Sequence, residues 1–341
     1  MSPSDAVRDV NAGVLRVRGL RVRVEPQRGE AVSVVDGVDL DLAPGRRLAL
    51  VGESGSGKSV TASALMGLTD YPLVATADEM TFNGNDLLHL SDRQWRDVRG
   101  AQLALIQQDP LTALSPVFTV GSQVAETIAR HLGVSRRQAM AQAIDRMAEA
   151  GIPDARLRAG SYPHQLSGGL RQRVAIAMAL SANPVLLLAD EPTTALDVTV
   201  QAQILELLRR LSDESGTGVV LITHDLGVIA GFAHEVAVMY SGRIVESGPV
   251  ARLLGQPRHP YTVALLAAQP GRAANQPRRR IAAIVGAPPA PARRPAGCAF
   301  APRCPIAIAL CQESRPPLRV VAGREVACHL ADSMATVGAQ Q

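Results

Sequence analysis

The segment at residues 52–59 constrains the fold of this chain more than any other. It reads GESGSGKS, follows the apolar run LALV at 48–51, and leads into a helical stretch that begins near Lys58. A glycine-rich segment that ends in Lys-Ser and lies between a buried strand and a helix is typical of a loop that binds phosphate. The sequence therefore predicts an α/β fold in which a buried parallel strand enters a phosphate loop and a helix.

Each residue type in this loop suits a particular contact with a nucleotide. Glycines let backbone N–H groups converge on phosphate oxygens, and the start of the helix adds a partial positive charge. Lys58 is expected to neutralise the β- and γ-phosphates, and Ser59 to ligate Mg²⁺. The predicted nucleotide contacts of the loop are Gly52, Ser54, Gly55, Gly57, Lys58, Ser59 and Val60.

Further short apolar runs predict the other parallel strands. They lie at 103–106, 185–189 and 219–222, and polar residues follow each one at the edge where parallel strands end. Asp190 and Glu191 follow the second run. We expect Asp190 to hold hydrated Mg²⁺ and Glu191 to polarise the attacking water as a general base. An acidic pair at a strand end is a weak signal alone, and its position after a phosphate loop strengthens it.

The remaining patterns before residue 252 predict an antiparallel sheet, a helical insert and a hairpin. Apolar and polar residues alternate at 14–18 and 38–42, which suits half-exposed antiparallel strands. The pattern becomes helical between about 109 and 165, and residues 200–211 carry one apolar helical face. Residues 235–245, with Ser-Gly at the turn, predict a closing hairpin.

Composition and hydropathy limit the class of protein. With 341 residues and 47% apolar content, the chain is long enough for one large domain and a smaller one. A membrane-spanning helix needs roughly 18 consecutive apolar residues, and the best candidate, residues 174–189, is interrupted by an Asn-Pro pair. The first residues, with Asp5, Arg8 and Asp9, lack the order of a secretory signal. We therefore expect a soluble or peripheral protein of the cytosol.

The excess of positive charge is concentrated in one stretch. The net charge is +4, and residues 270–297 carry six Arg, six Pro and no acidic residue. Such a composition is typical of an extended linker, and a solvated spacer is preferred over a contact with lipid headgroups or nucleic acid. Because no aromatic residue stands among these arginines, a base-stacking nucleic-acid platform is disfavoured.

A Ser-Gly-Gly turn before a helical run is the most discriminating motif. Residues 166–172 read LSGGLRQ, and together with the phosphate loop and the acidic pair they make the chain resemble ATP-binding-cassette (ABC) ATPases. In that family the turn caps the γ-phosphate of a nucleotide held by a facing subunit, so that ATP joins a dimer. The resemblance implies this role for Ser167, Gly168 and Gly169. Since we find no second cassette in the sequence, the facing subunit must be another chain.

Three more residues match the family pattern. By resemblance, Gln108 contacts Mg²⁺ and the lytic water and links the site to a transmembrane partner. Asp197 is similar to the aspartate that crosses the dimer interface, and His224 to the histidine that senses the γ-phosphate. The resemblance implies ATP and Mg²⁺ as cofactors. It assigns catalysis to Glu191, His224 and Gln108, nucleotide contacts to Asp190 and Asp197, and Mg²⁺ to Ser59, Gln108 and Asp190.

One feature departs from that family. ABC ATPases usually stack adenine on an aromatic residue upstream of the phosphate loop, and residues 1–51 contain no Phe, Tyr, Trp or His. Val24 occupies the corresponding position, so we expect adenine to contact Val24, aided by an arginine such as Arg23. Apolar contact of this kind should discriminate only modestly among purine nucleotides. Because base–aromatic stacking contributes about 1–3 kcal/mol in single-strand binding, its absence should weaken nucleotide affinity by about tenfold or more.

The four cysteines lie together near the end of the chain, at Cys298, Cys304, Cys311 and Cys328. In a cytosolic protein such a group favours metal or cluster ligation over disulfides. Their spacings of five, six and sixteen intervening residues differ from the paired spacing of zinc ribbons. The spacing alone leaves zinc and an iron–sulfur cluster open, with unligated thiols as the third interpretation.

The tail narrows the resemblance. With QPRHPYT at 256–262 and the cysteines, it is similar to the tail of dipeptide/oligopeptide importer ATPases, and the likeness extends from about residue 14. It implies a [4Fe–4S] cluster on the four cysteines, which would act as a structural staple. The motif PTTALDVT at 192–199 resembles the D-type subunit of a D/F heterodimer.

The resemblance as a whole implies the following fold and function. The fold is an α/β P-loop NTPase of the ABC cassette type over residues 1–252, with a mixed sheet core, an antiparallel β subdomain and a helical insert. A small cysteine-containing extension, 253–341, follows. The implied protein is the ATP-hydrolysing motor of a di- or oligopeptide importer, peripheral at the cytoplasmic face of the inner membrane.

The resemblance also implies partners and leaves alternatives. The partners are a second, F-type ATPase subunit, two transmembrane permeases and an extracytoplasmic solute-binding protein, without nucleic acid. Import of nickel or another small solute is one alternative. A soluble ABC protein that does not transport is another, although such proteins usually carry two cassettes or lack this tail.

Overall fold

The computed structural model describes residues 14–27, 29–194, 196–269 and 284–336. The N-terminal residues that argued against a secretory signal lie outside these ranges, as do Ala195 and half of the Arg/Pro-rich spacer predicted at 270–297. Within the described ranges the structure is a layered α/β fold built on two sheets.

The first sheet is antiparallel and small. Its strands are β1 (Leu15–Val24), β2 (Val32–Leu42), β4 (Leu73–Thr76), β5 (Glu79–Phe82) and β6 (Asn85–Asp86). They are ordered β2-β1-β5-β6, with β4 also paired to β1. Val17 and Val22 of β1 are fully buried while Arg16 and Arg23 face solvent. The predicted antiparallel sheet is therefore present.

The second sheet carries the core of the fold. Its strands are β3 (Arg47–Val51), β7 (Leu103–Ile106), β8 (Leu186–Asp190), β9 (Gly218–Thr223), β10 (Glu235–Tyr240), β11 (Arg243–Pro249), β12 (Arg319–Val321) and β13 (Arg324–Val326). They are ordered β12-β13-β11-β10-β3-β9-β8-β7, and the five strands from β10 to β7 are parallel. Every residue of β3, β8 and β9 is buried. This explains why these strands read as continuous apolar runs.

Helices cover both sheets. They are α1 (Lys58–Leu65), α2 (Asp92–Val98), α3 (Pro110–Ala113), α4 (Val120–Leu132), α5 (Arg136–Glu149), α6 (Ala155–Arg158), α7 (Gly168–Leu180), α8 (Val198–Ser215), α9 (Val250–Gly255), α10 (Pro260–Ala267) and α11 (Ala309–Glu313). The helices α3 to α6 form the predicted insert between β7 and α7. In α8, the predicted apolar face buries Ile204, Leu207 and Leu208. Among the described residues, no helix combines the length and apolar character that crossing a bilayer requires.

The C-terminal extension is packed into the cassette. The hairpin of β10 and β11 turns at Ser241 and Gly242, whose φ angles are +46° and +81°, as a tight two-residue turn requires. Strand β13 then adds to the outer side of β11, with Glu246 opposite Val326. The predicted division after residue 252 falls within α9, and the sheet continues from the first part into the extension.

Candidate nucleotide-binding site

The loop between β3 and α1 has the strand–loop–helix arrangement expected of a phosphate loop. Gly55 and Gly57 adopt φ angles of +77° and +104°, a region that favours glycine. A Cβ atom on Gly57 would lie 2.9 Å from Cε of Met239. Glycine is therefore favoured at this position mainly by its backbone conformation, since the flexible end of Met239 could move away from a Cβ atom.

The side chain of Lys58 crosses the interior of the loop. Its Nζ donates hydrogen bonds to the carbonyl oxygens of Gly52 at 2.7 Å and Glu53 at 3.0 Å. Burial lowers the pKa of Lys58, and the carboxylates of Glu191 and Asp190 oppose that effect. The Lys58 ammonium is therefore held inside the loop, where a phosphate group would bind.

Ser59 and Asp190, two of the residues predicted to hold Mg²⁺, are joined by a hydrogen bond. The hydroxyl of Ser59 donates to Oδ1 of Asp190 at 3.0 Å, which joins the start of α1 to the end of β8. Burial raises the pKa of Asp190, and the hydrogen bond from Ser59 acts against this rise. A hydroxyl and a carboxylate are oxygen ligands of the kind that Mg²⁺ prefers.

Glu191 is the point at which several predicted residues converge. It has a left-handed backbone with φ +43°, and its N–H donates to the carbonyl of Ile222 at 2.9 Å. Its Oε2 accepts from Nε2 of Gln108 at 3.4 Å and lies 3.3 Å from Nδ1 of His224. Such conformations of non-glycine residues are concentrated at functional sites.

One residue of this group was missed by sequence reasoning. Oγ1 of Thr194 donates to the same Oε2 of Glu191 at 2.9 Å. The only signal was its place three residues after Glu191, in the turn that follows β8. Turn residues commonly bond to a preceding carboxylate, so the sequence did not distinguish a catalytic support from an ordinary turn.

Most of the predicted residues of the loop and the residues around Glu191 line one open cleft of about 830 Å³, whereas Gly52, Asp190 and Thr194 are outside its lining. This volume is within the range of roughly 300–1,000 Å³ typical of ligand pockets. The predicted residues in its lining are Ser54, Gly55, Gly57, Lys58, Ser59, Val60, Gln108, Glu191 and His224. Apolar side chains line it as well: Val34 from β2, Leu265 from α10, and Ile284. The cleft thus combines a polar side, where charge is concentrated, with an apolar side.

The cleft lining offers a second apolar candidate for the predicted adenine contact. Val24 is half-buried at the end of β1, opposite Val32 and Leu73, and it does not line the cleft. Val34, on the neighbouring strand, lines it instead. The contact of adenine with Val24 stays a prediction, and Val34 is a further candidate that the pairing of β1 with β2 brings to the cleft.

The remaining predicted nucleotide contacts lie outside this cleft. Ser167 caps α7 and accepts from the N–H of Leu170 at 3.4 Å, while Asp197 caps α8 and accepts from the N–H of Val200 at 3.0 Å. Ser167, Gly168 and Asp197 are exposed. Two helix starts are thereby presented on the surface of the protomer, and neither lines the cleft at its phosphate loop.

The four cysteines of the extension share a second, small cavity. Cys298, Cys304, Cys311 and Cys328 all line it, together with His259 and Phe300, and none forms a disulfide. Burial raises the pKa of the Cys298 and Cys304 thiols and raises that of Cys328 to about 11. In the part of the chain that the structure describes, no three Cys, His, Asp or Glu side chains are placed to hold a metal ion.

Comparison with known proteins decides the family. Residues 35–194 match the ABC transporter family model, and residues 245–311 match the oligopeptide/dipeptide transporter C-terminal region. The dipeptide transport ATP-binding protein DppD of Escherichia coli is 48% identical over 296 residues, covering 86% of this chain and 90% of that protein. The chain belongs to the ABC transporter ATP-binding family, in its oligopeptide/dipeptide branch. It is an ATPase that couples hydrolysis of ATP to transport.

Other relatives agree with this membership. The DppD protein of Lactococcus lactis is 46% identical and covers 89% of this chain and 86% of that protein. The cassette MJ0796, solved as a dimer in a post-hydrolysis state with ADP and Pi, superposes with a TM-score of 0.62 at 27% identity. That match covers 69% of this ABC ATPase and 98% of MJ0796.

Proposed function

We propose that this ABC ATPase drives the import of di- or oligopeptides from the cytoplasmic face of the cell membrane. The observation that carries the proposal is that the match to dipeptide transport proteins extends over 86% of the chain, while a separate family match covers the tail. Similarity in the cassette and similarity in the C-terminal region therefore both support peptide transport.

Hydrolysis in the proposed site is an in-line attack of water on the γ-phosphorus of ATP. Glu191 accepts a proton from the water as its oxygen bonds to phosphorus, and the bond to the β-phosphate oxygen breaks to give ADP and phosphate. His224 and Gln108 reach the same carboxylate oxygen, and hold the general base and the water in line. Lys58 offsets the negative charge of the phosphates.

Mg²⁺ fits the oxygen donors beside the phosphate loop. Ser59 and Asp190 would hold it, with Gln108 near the same edge, and the ion would supply charge neutralisation at the β- and γ-phosphates. The bond from Ser59 to Asp190 keeps both donors at one place.

The exposed helix starts support a composite ATP site between two subunits. Ser167, Gly168 and Gly169 present backbone N–H groups at the start of α7, which is a favourable place for an anion. We assign this anion as the γ-phosphate bound to a second ATPase subunit, an F-type paralogue of this chain. Asp197 at the start of α8 would lie at the same interface.

The helical insert offers a surface to the permeases. Leu111, Val117 and Phe118 have 51%, 70% and 57% of their surface exposed, and they follow Gln108 closely in the chain. Exposed apolar side chains grouped in this way mark protein–protein contacts. We assign this surface to two transmembrane permease subunits, which would receive solute from an extracytoplasmic binding protein.

The apolar side of the cleft is proposed as the adenine site. Val34, Leu265 and Ile284 provide apolar contacts without an aromatic ring on which the base could stack. The chemistry of these contacts does not depend on the exocyclic groups of a purine. Competition between ATP and GTP should therefore show little preference, and a strong preference for ATP would contradict this assignment.

The four cysteines are proposed to hold a [4Fe–4S] cluster. A single tetrahedral zinc would need four sulfurs at about 2.3 Å from one point. The four thiols line one small cavity together and form no disulfide, and this shared position supports a common ligand. Protein purified without oxygen should be brown and absorb visible light, whereas colourless protein with one equivalent of zinc would favour the alternative.

The transport proposal is tested by isolating the whole assembly. A tag on this chain should retain two permeases and a second ATPase subunit, and ATPase activity in vesicles should rise when peptide-loaded binding protein is added. Stimulation by nickel or another small solute instead would identify the alternative importer. An ATPase that copurifies with no permease would support the soluble alternative.

A further inference from the structure

The phosphate loop is attached to the cysteine-bearing tail through a two-pronged ion pair. Nη1 and Nη2 of Arg303 donate to Oε2 and Oε1 of Glu53, at 2.7 Å and 3.1 Å. Only 5% of the Arg303 side chain and 25% of the Glu53 side chain are exposed. A fork of this geometry, largely shielded from water, is among the strongest and most directional contacts that a protein makes.

The tail also holds the backbone at the same residue. The N–H of Glu53 donates to the hydroxyl of Tyr261, in α10, at 2.8 Å. Arg303 is itself fixed, because it donates to the hydroxyl of Tyr240 at 3.3 Å and to the carbonyl of Val285 at 3.0 Å. The side chain of Glu53 is therefore held by Arg303, and its backbone N–H by Tyr261. Both residues belong to the extension after position 253.

Glu53 belongs to the cradle that surrounds the catalytic lysine. Its carbonyl oxygen and that of Gly52 both accept from Nζ of Lys58. A displacement of the Glu53 peptide would therefore change the position of Lys58 and the curvature of the loop. Holding the loop in one conformation before the nucleotide arrives reduces the entropy lost on binding.

We propose that Arg303 is a positioning residue for the phosphate loop, through which the cysteine-bearing tail sets the affinity of the site for nucleotide. The inference rests on nucleotide binding at this loop. Arg303 immediately precedes Cys304, so the segment that contains the cysteines also contains the residue that holds the phosphate loop through Glu53. Coupling between two sites is reciprocal, and nucleotide in the loop should stabilise the turn at Ala301–Arg303.

The first test measures the dissociation constant of Mg–ADP, which the site cannot hydrolyse, by calorimetry on the full chain. Loss of one charge-assisted partner corresponds to about a tenfold weaker binding, and we expect this for Arg303→Met and for Glu53→Gln. The double variant should bind no worse than either single variant, because the two changes remove the same contact. Arg303→Lys should recover part of the affinity, since it keeps the charge but loses the fork.

Arg319→Met is the matched control. Arg319 forms an ion pair with Asp332 in the same tail, but at the surface, and its loss should leave Mg–ADP affinity unchanged. If Arg303→Met does not fold, Glu53→Gln and Arg303→Lys still decide the question. Unchanged affinity in folded variants at position 303 and in Glu53→Gln would overturn the proposal.

The second test measures hydrogen exchange of backbone amides. Its result does not depend on whether the four cysteines hold a metal or a cluster. In the wild type, Mg–ADP should slow exchange of the backbone amides of Ala301, Arg303 and Cys304 severalfold, and in Arg303→Met this protection should disappear. Equal protection in both proteins would contradict the proposed route. If the wild type binds no nucleotide at all, then the proposed function fails rather than the role of Arg303.

Discussion

The Oε2 atom of Glu191 lies 3.3 Å from Nδ1 of His224, although the two residues come from the ends of different strands. Since β8 and β9 are parallel neighbours, with Asp190 opposite Ile222, their carboxyl ends meet at one edge of the sheet. The side chain of Glu191 is 14% exposed and that of His224 is 60% exposed. The proposed general base is therefore shielded, and the histidine faces the open cleft.

Glu191→Gln should remove hydrolysis and keep nucleotide binding. The amide preserves the size of the side chain but cannot accept a proton from water. General-base catalysis contributes roughly 10²–10⁴-fold, so we expect ATPase activity to fall by at least about a hundredfold, with the affinity for Mg–ATP within about threefold of the wild type. Phosphate release and equilibrium binding, measured on the same preparation, check both parts. Retained turnover in this variant would show that Glu191 is not the base.

His224→Ala should slow hydrolysis with little effect on stability. His224 is exposed and interacts with Glu191 across the cleft, so its loss should reduce kcat by about tenfold or more, as expected for loss of one charge-stabilising contact in the transition state. His89→Ala is the control. His89 is also an exposed histidine that pairs with a carboxylate, Asp86, but neither residue lines the cleft. A similar loss of kcat in both variants would mean that the effect is not specific to the site.

Much of this site was predictable because its determinants are local in sequence. The apolar runs located β3, β7, β8 and β9 to within one residue, since strands buried on both faces leave a continuous signal. Parallel strands end at one edge, so the polar residues after these strands, among them the acidic pair, were expected at that edge. The phosphate loop was predicted from eight consecutive residues and the apolar strand and helix on either side of them.

The features that were missed depend on distant parts of the chain. Arg303 and Glu53 are 250 positions apart, and no periodicity links them. Strands β12 and β13 have three residues each, too few for an alternating pattern to be recognised. Val34 was missed as a lining residue for the same reason, because its place in the cleft depends on how β1 pairs with β2.

Val34→Ala should weaken ATP binding while Val24→Ala should not. Val34 lines the cleft and Val24 does not, although both are half-buried valines of the antiparallel sheet. Removing two methyl groups from an apolar contact costs about 1–1.5 kcal/mol, equivalent to roughly five- to tenfold in the dissociation constant. Titration with a fluorescent ATP analogue compares the two variants directly, and equal losses would contradict the assignment.

Phe300→Ala should destabilise the cassette and the extension together. Phe300 is 2% exposed, and its ring centroid lies 5.3 Å from that of Tyr240 and 5.4 Å from that of Tyr261. Truncation of a buried phenylalanine costs about 3–5 kcal/mol. Because Tyr240 belongs to the central sheet, thermal unfolding should remain a single transition at lower temperature. A separate early transition of the tail would show that the extension unfolds independently.

Gly168→Ala separates the fold of the protomer from the composite site. A Cβ atom on Gly168 would lie 3.7 Å from Cδ2 of Leu196, an ordinary contact, whereas one on Gly169 would lie 3.1 Å from Cγ1 of Val200. The Gly168→Ala protomer should therefore keep the unfolding temperature and Mg–ADP affinity of the wild type.

In the proposed dimer, however, the added methyl group would face the triphosphate held by the other subunit. Backbone N–H groups bind an anion only at close approach, and a side chain between them and the phosphate removes that contact. We expect Glu191→Gln cassettes of both subunits to dimerise with ATP in gel filtration, and the added Gly168→Ala change to abolish the dimer. A dimer that forms equally well with alanine at 168 would mean that this turn does not face the partner's nucleotide, because the protomer itself accommodates the substitution.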